Sequence, residues 1–158
     1  MNSVDPYSNK VRVRSCGLLI FEDKILLVKQ NVPTRMSPVW IPPGGGVALG
    51  ESAELALKRE CKEETGVSLS GLRLRYVHEF IEKPYHALEL YFLADRFSGE
   101  VIKGSDPEHT QSEQLIHEVC FMPFDDLTML NVVPEFLVDE LKSGRYLQSQ
   151  ISYFKSDR

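Results

Sequence analysis

The stretch Gly45–Val67, GGVALGESAELALKRECKEETGV, organises the chain. It starts with glycines, offers a helix start at Gly50-Glu51-Ser52 and stops at Gly66. Ser52 or Glu51 can accept from the free N–H groups of a first turn, and Gly66 supplies the left-handed residue that commonly ends a helix. At about 100° per residue, Ala53, Leu57 and Cys61 share one apolar arc, with Ala56 at its edge. Glu60, Glu63 and Glu64 fall on that arc or beside it, whereas Lys58 and Lys62 take the watery side. A surface helix ordinarily sets its carboxylates opposite the core, not along its margin. Acids at i, i+3 and i+4 are neighbours on a helix and should converge on one point. Left unpaired, they would repel one another and raise each other's pKa, so a cation should sit among them. An oxygen-only donor set without histidine or cysteine favours a hard ion, Mg²⁺ or Mn²⁺, over zinc. Gly44-Gly45-Gly46 lets backbone approach a ligand closely.

These residues carry a resemblance. Gly45, five residues, Glu51, seven residues and then Arg59-Glu60-Cys61-Lys62-Glu63-Glu64-Thr65-Gly66-Val67 resembles the box of the Nudix hydrolase family, whose members include MutT-like and ADP-ribose pyrophosphatase-like enzymes. Every fixed position is matched. Cys61 stands where the family prefers a larger aliphatic residue, and a small apolar thiol suits the same buried role. The flanks are similar too: Val11–Phe21, the lead-in Trp40-Ile41-Pro42-Pro43-Gly44-Gly45, and Phe121-Met122-Pro123-Phe124-Asp125-Asp126-Leu127. The resemblance implies an α/β (α+β) fold, the Nudix-type α/β/α sandwich with a mixed β-sheet. It also implies hydrolysis of a phosphoanhydride in a nucleoside diphosphate linked to another moiety, with Mg²⁺ or Mn²⁺ as cofactor. By that resemblance the metal ligands are Gly45 (through its carbonyl), Glu60, Glu63 and Glu64. Arg59 holds a box carboxylate in place, and Glu51 supports the loop and helix start. The general base comes from the box or from a later glutamate. Of Glu108, Glu113 and Glu118, Glu113 ranks first because it follows a polar loop at the start of a strand. The catalytic set is thus Arg59, Glu63, Glu64 and Glu113. His109 and His117 read as surface residues.

Composition bounds the rest. A chain of 158 residues is large enough for one domain with a real core. We expect a flexible lead over 1–9 and a single domain over 10–158. A net charge of −5 argues against a general nucleic-acid or membrane-surface binder, but not against nucleotides whose phosphates a metal can meet. Cys16, Cys61 and Cys120 are an odd count inside apolar segments, read as reduced core residues of a cytoplasmic protein. No segment approaches the roughly 20 apolar residues of a membrane span, and Met1–Asn9 has no apolar signal core.

Alternation and turn residues predict strands over Lys10–Phe21 and Lys24–Lys29, a tight turn at Glu22-Asp23 and a loop over Asn31–Pro38. Trp40 reads as a core anchor. Leu72–Glu82 and His86–Phe97 should form an antiparallel hairpin about Lys83-Pro84-Tyr85, followed by a loop over Ser98–Ser112 and a strand over Glu113–Phe121. A helical turn is expected over Pro123–Leu130 and a helix over Pro134–Ser143, with proline at its start and Gly144 at its end. The apolar residues spaced along Tyr146–Arg158 suggest packing on the body or on a second subunit, giving a homodimer. In the family, a proline or a tyrosine past the box goes with ADP-ribose or dinucleoside polyphosphates respectively. Pro84 and Tyr85 stand side by side, so ADP-ribose-like nucleotides, dinucleoside polyphosphates and nucleoside triphosphates all stay open. The competing class is a nucleotide-binding sensor on the same scaffold; such relatives usually lose box acids, and all of them stand here.

Overall fold

A computed structural model describes residues 5–104 and 116–157. The first strand, β1 (Val11–Leu18), leads into β2 (Ile20–Phe21) and turns back through Glu22-Asp23 into β3 (Lys24–Gln30). Short strands β4 (Val39–Ile41) and β5 (Gly44–Gly46) precede helix α1 (Ala53–Thr65). The long hairpin β6 (Ser68–Glu82) and β7 (Tyr85–Ser98) follows, then β8 (Ile116–Pro123), a 3-10 turn (Phe124–Met129), α2 (Phe136–Lys142) and β9 (Ser152–Asp157). One mixed sheet has the order β5-β1-β7-β6-β9, with β1 parallel to β7 and β9 parallel to β6. In the second sheet β3 pairs with β2, β4 and β8, all antiparallel.

Two apolar clusters hold the layers. Under α1, Leu57 and Cys61 meet Leu19, Leu26, Val67, Phe92 and Ala94. On the other face, Leu137 and Leu141 of α2 meet Cys16, Leu18, Tyr76, Tyr91 and Trp40. The sheets therefore lie between the two helices, the expected sandwich. Fully burying a side chain such as Leu57, 0% exposed, stabilises by about 1.5–3 kcal/mol. Trp40 is 7% exposed in this core, as an anchor should be. Cys61 is completely buried, which is why a small thiol serves at that position of the box. All three cysteines are free.

The hairpin is longer than its sequence suggests, because β6 starts at Ser68, straight after the Gly66 cap. Glu113, Glu108 and His109 lie outside the described residues; the described part of the strand expected from Glu113 is β8, and it runs on to Pro123. The tail packs on the body. Its strand β9 extends the sheet beside β6, and Phe154 stacks on Phe136 with ring centroids 4.1 Å apart. Buried Arg75 secures the approach to β9 by donating to the carbonyls of Tyr146 (2.8 Å), Arg145 (3.2 Å) and Gln150. Among the described residues no helix is long and apolar enough to cross a membrane.

Candidate active site

Helix α1 is capped as its sequence dictates. Ser52 Oγ accepts from the Leu55 N–H at 3.2 Å, and Gly66, at φ 77°, donates its N–H to the Lys62 carbonyl at 3.0 Å. These caps satisfy backbone groups that every helix end leaves free. The segment after β7 docks on the same last turn, where Ile102 and Gly104 donate to the carbonyls of Thr65 (2.9 Å) and Glu64 (2.8 Å).

The acids of α1 lean onto β5, a strand of three glycines at the edge of the larger sheet. A Cβ on Gly45 would lie 2.3 Å from the Glu60 carboxyl carbon, so only glycine admits this approach. Glu64 Oε2 accepts from the Gly44 N–H at 3.1 Å. Glu60, Glu64 and Gly45 are thus brought together, as the box spacing implies.

The convergence of all three acids on one point is not observed. Among the described residues, no three histidine, cysteine or acidic side chains stand close enough to hold a metal ion. Two of the helix acids, Glu60 and Glu63, instead meet Arg59. Its Nη1 donates to Glu60 Oε1 at 2.8 Å and reaches Glu63 Oε2 at 3.5 Å. Its Nε and Nη2 grip both oxygens of Glu51, at 2.9 and 3.1 Å, and Nη2 also reaches the Gly46 carbonyl at 3.3 Å. Arg59 therefore ties Glu51, Glu60, Glu63 and the glycine strand into one unit. Glu51 accepts in addition from the Ala48 N–H at 3.1 Å and so supports the loop before the helix. The Arg59 hydrogen bonds, then that of Ala48, hold its carboxyl down at about 2. These groups stay accessible, with side-chain exposure of 38% for Arg59, 30% for Glu63 and 18% for Glu60. Rotation of such side chains is open, and their hard oxygens suit Mg²⁺ or Mn²⁺.

The later residues fare differently. Glu118 is an exposed residue of β8 opposite Lys29 of β3, and His117 beside it is exposed too. Pro84 sits in the hairpin turn, and the Tyr85 hydroxyl donates to Asp5, so both have structural employment. Sequence reasoning did not single out a second charged cluster on the opposite face of β1. There Glu89 accepts from Arg14 Nη1 at 2.8 Å and from the Tyr91 hydroxyl at 2.9 Å, and lies 2.8 Å from His78 Nδ1. His78 Nε2 reaches Ser156 Oγ at 2.9 Å, which ties in β9. A usable signal was the polar residue at every second place, Arg12 and Arg14 in β1, inside strands otherwise apolar.

The family model described as the NUDIX domain matches residues 11–140. The chain is 34% identical over 100 residues to the uncharacterized Nudix hydrolase YvcI of Bacillus subtilis, covering 60% of this chain and 60% of that protein. It is 33% identical over 98 residues to ADP-ribose pyrophosphatase of Methanocaldococcus jannaschii, covering 60% of this chain and 57% of that one. The matches thus span about three fifths of the length of these relatives. The crystal structure of the MutT NUDIX hydrolase from Burkholderia pseudomallei is similar over 84% of this chain and 97% of that chain, with a TM-score of 0.69 and 25% identity. A family match that reaches from β1 into α2, over a box folded as glycine strand and capped helix, shows that this chain belongs to the NUDIX domain family.

Proposed function

We propose that this protein is a metal-dependent hydrolase that cleaves a phosphoanhydride in a nucleoside diphosphate linked to another moiety. The observation that carries the reading is the contact of Glu60 and Glu64 with the side-chain-free strand Gly44–Gly46, with Arg59 bonded to Glu60 and to the Gly46 carbonyl. Hydrolases of this family generally use divalent metal ions. Glu60, Glu63, Glu64 and the Gly45 carbonyl would hold Mg²⁺ or Mn²⁺, which when bound supplies positive charge against phosphate oxygens and acidifies water. Arg59 keeps the carboxylates in place while they change partner. Glu113 is the proposed general base, taking a proton from the water that attacks phosphorus. ADP-ribose-like nucleotides lead the substrate candidates, since a relative bears the name ADP-ribose pyrophosphatase; dinucleoside polyphosphates and nucleoside triphosphates follow. We place the activity in a single domain over 10–158 of a cytoplasmic protein. A homodimer would use the free edge of β9 and exposed Tyr153, and a concentration-independent monomer mass would exclude it.

The test is phosphate release from a nucleotide panel with Mg²⁺ or Mn²⁺, run beside Glu64→Gln. Turnover of one compound should fall by about a hundredfold or more in the variant, since loss of a group that supports transition-state charge costs that order. A folded protein silent on the whole panel would instead be a nucleotide-binding sensor.

A further inference from the structure

Strand β1 carries Arg12 and Arg14 on one face, two residues apart, so their side chains lie next to each other. The neighbour of β1 on the outer side is β5, with Arg14 opposite Gly46. Because β5 has no side chains, it is a bare backbone partition between these arginines and the acids of α1. Arg12 Nη2 would lie 3.2 Å from a Cβ on Gly46, just as Glu60 presses on Gly45 from α1. The glycine strand thus brings box acids and two guanidiniums within electrostatic reach of one another.

The two arginines are held differently. Arg14 is anchored by Glu89 through one nitrogen only, Nη1. Arg12 has no hydrogen bond or ion pair among the described residues; its guanidinium lies 4.1 Å from the centre of the Tyr7 ring. Burial, and then the like charge of Arg14, lower its pKa, against the opposing pull of Tyr7, Asp5 and Glu60. Five donors in a planar fork match phosphate oxygens, as they match a carboxylate. There is also room. Across the sheet from Arg12 stand Ala87 and then Phe80, a methyl between a guanidinium and a ring. Phe136 of α2 packs on Tyr76, His78 and Tyr91, the inner rows of this face.

We propose that Arg12, with Arg14 beside it, binds phosphate oxygens of the substrate on the face of the glycine strand away from α1, opposite the box acids. The inference rests on the hydrolase reading above and names the residues that recognise the diphosphate. The strand would leave the anion between protein cations on one side and the metal-holding carboxylates on the other.

The experiment titrates the full chain with inorganic pyrophosphate in metal-free buffer, where only protein cations can hold the anion. Wild type, Arg12→Gln and Arg12→Lys are compared by calorimetry, and the same variants are then assayed with the best nucleotide. Loss of a charge-assisted bond should weaken pyrophosphate binding by about tenfold or more in Arg12→Gln. Arg12→Lys, which keeps charge and stem but not the fork, should fall between. With nucleotide, KM should rise by about the same factor while kcat changes far less, the mark of a binding group. Unchanged pyrophosphate affinity and KM in folded Arg12→Gln would overturn the proposal, as would a wild type that binds no pyrophosphate. Absence of turnover on every nucleotide defeats the hydrolase reading, while the titration still judges Arg12.

Discussion

Two arginine–carboxylate clusters on either side of the glycine strand behave as opposites. At α1, Arg59 holds Glu51, Glu60 and Glu63 with its own side chain 38% exposed. On the far face of β1, Arg14, Tyr91 and His78 surround Glu89, whose side chain is 11% exposed and that of His78 only 3%. The chemistry is the same and the surroundings are not. Exposed ion pairs exchange partners easily because water screens them and competes for them. A buried carboxylate stripped of one partner is left with an uncompensated charge, so its network stays as built. On the proposed reading the first cluster releases carboxylates to a metal; the second links strands β1, β6, β7 and β9. The proposed reactive site and a structural girder thus differ in burial before anything else.

That comparison can be broken at three points. Glu89→Gln should cost about 3–5 kcal/mol in a denaturant titration, as breaking buried charge networks does. Burial pushes the Glu89 carboxyl up, but the hydrogen bond from His78 and the charge of Arg14 outweigh it and hold it at about 2, below the ordinary 4.5. Its stabilisation is therefore complete above pH 4.5 and is lost as pH falls towards 2, so wild type and variant should converge over that window. A constant difference down to pH 2 would mean that Glu89 acts by packing alone. Arg59→Lys comes next: activity should drop about 10–100-fold, the usual loss when a group that orients ligands is altered. The melting temperature should hardly move, because exposed pairs contribute about 0–1 kcal/mol. A large loss of stability there would erase the contrast between the clusters. The smallest effect is expected from Ser52→Ala, about 1 kcal/mol for a lost N-cap. Measured by urea unfolding with activity in parallel, it separates support of the helix from support of the chemistry.

Much of the site was legible because it is local. Ser52, Gly66 and the acids of Gly45–Val67 act within one helix and the loop before it, where spacing along the chain is also spacing in space. Cys61 could be assigned to the core from its place on the apolar arc, and it is fully buried. The cation among the acids was anticipated from charge repulsion, although the group found there is Arg59. Less legible was the tail. Tyr146–Arg158 showed spaced apolar residues, yet nothing in its pattern said that Ser152–Asp157 would add a parallel strand beside β6. Parallel pairing joins segments far apart in sequence, and its partner is chosen by packing. Alternation predicted a strand over Lys10–Phe21 but not that Arg14 serves Glu89, 75 residues away.

By itself the sequence determined the capped box helix, the glycines beside it, the hairpin and the family, since each depends on neighbours a few residues apart or on a fixed spacing. Only the tertiary structure decided that the glycine strand lies between two sets of charges, that β9 closes the sheet, and that Glu89 is buried while Glu60 is not. Burial and long-range pairing are properties of the packed chain, and the same arginine and glutamate become hinge or girder according to the water left around them.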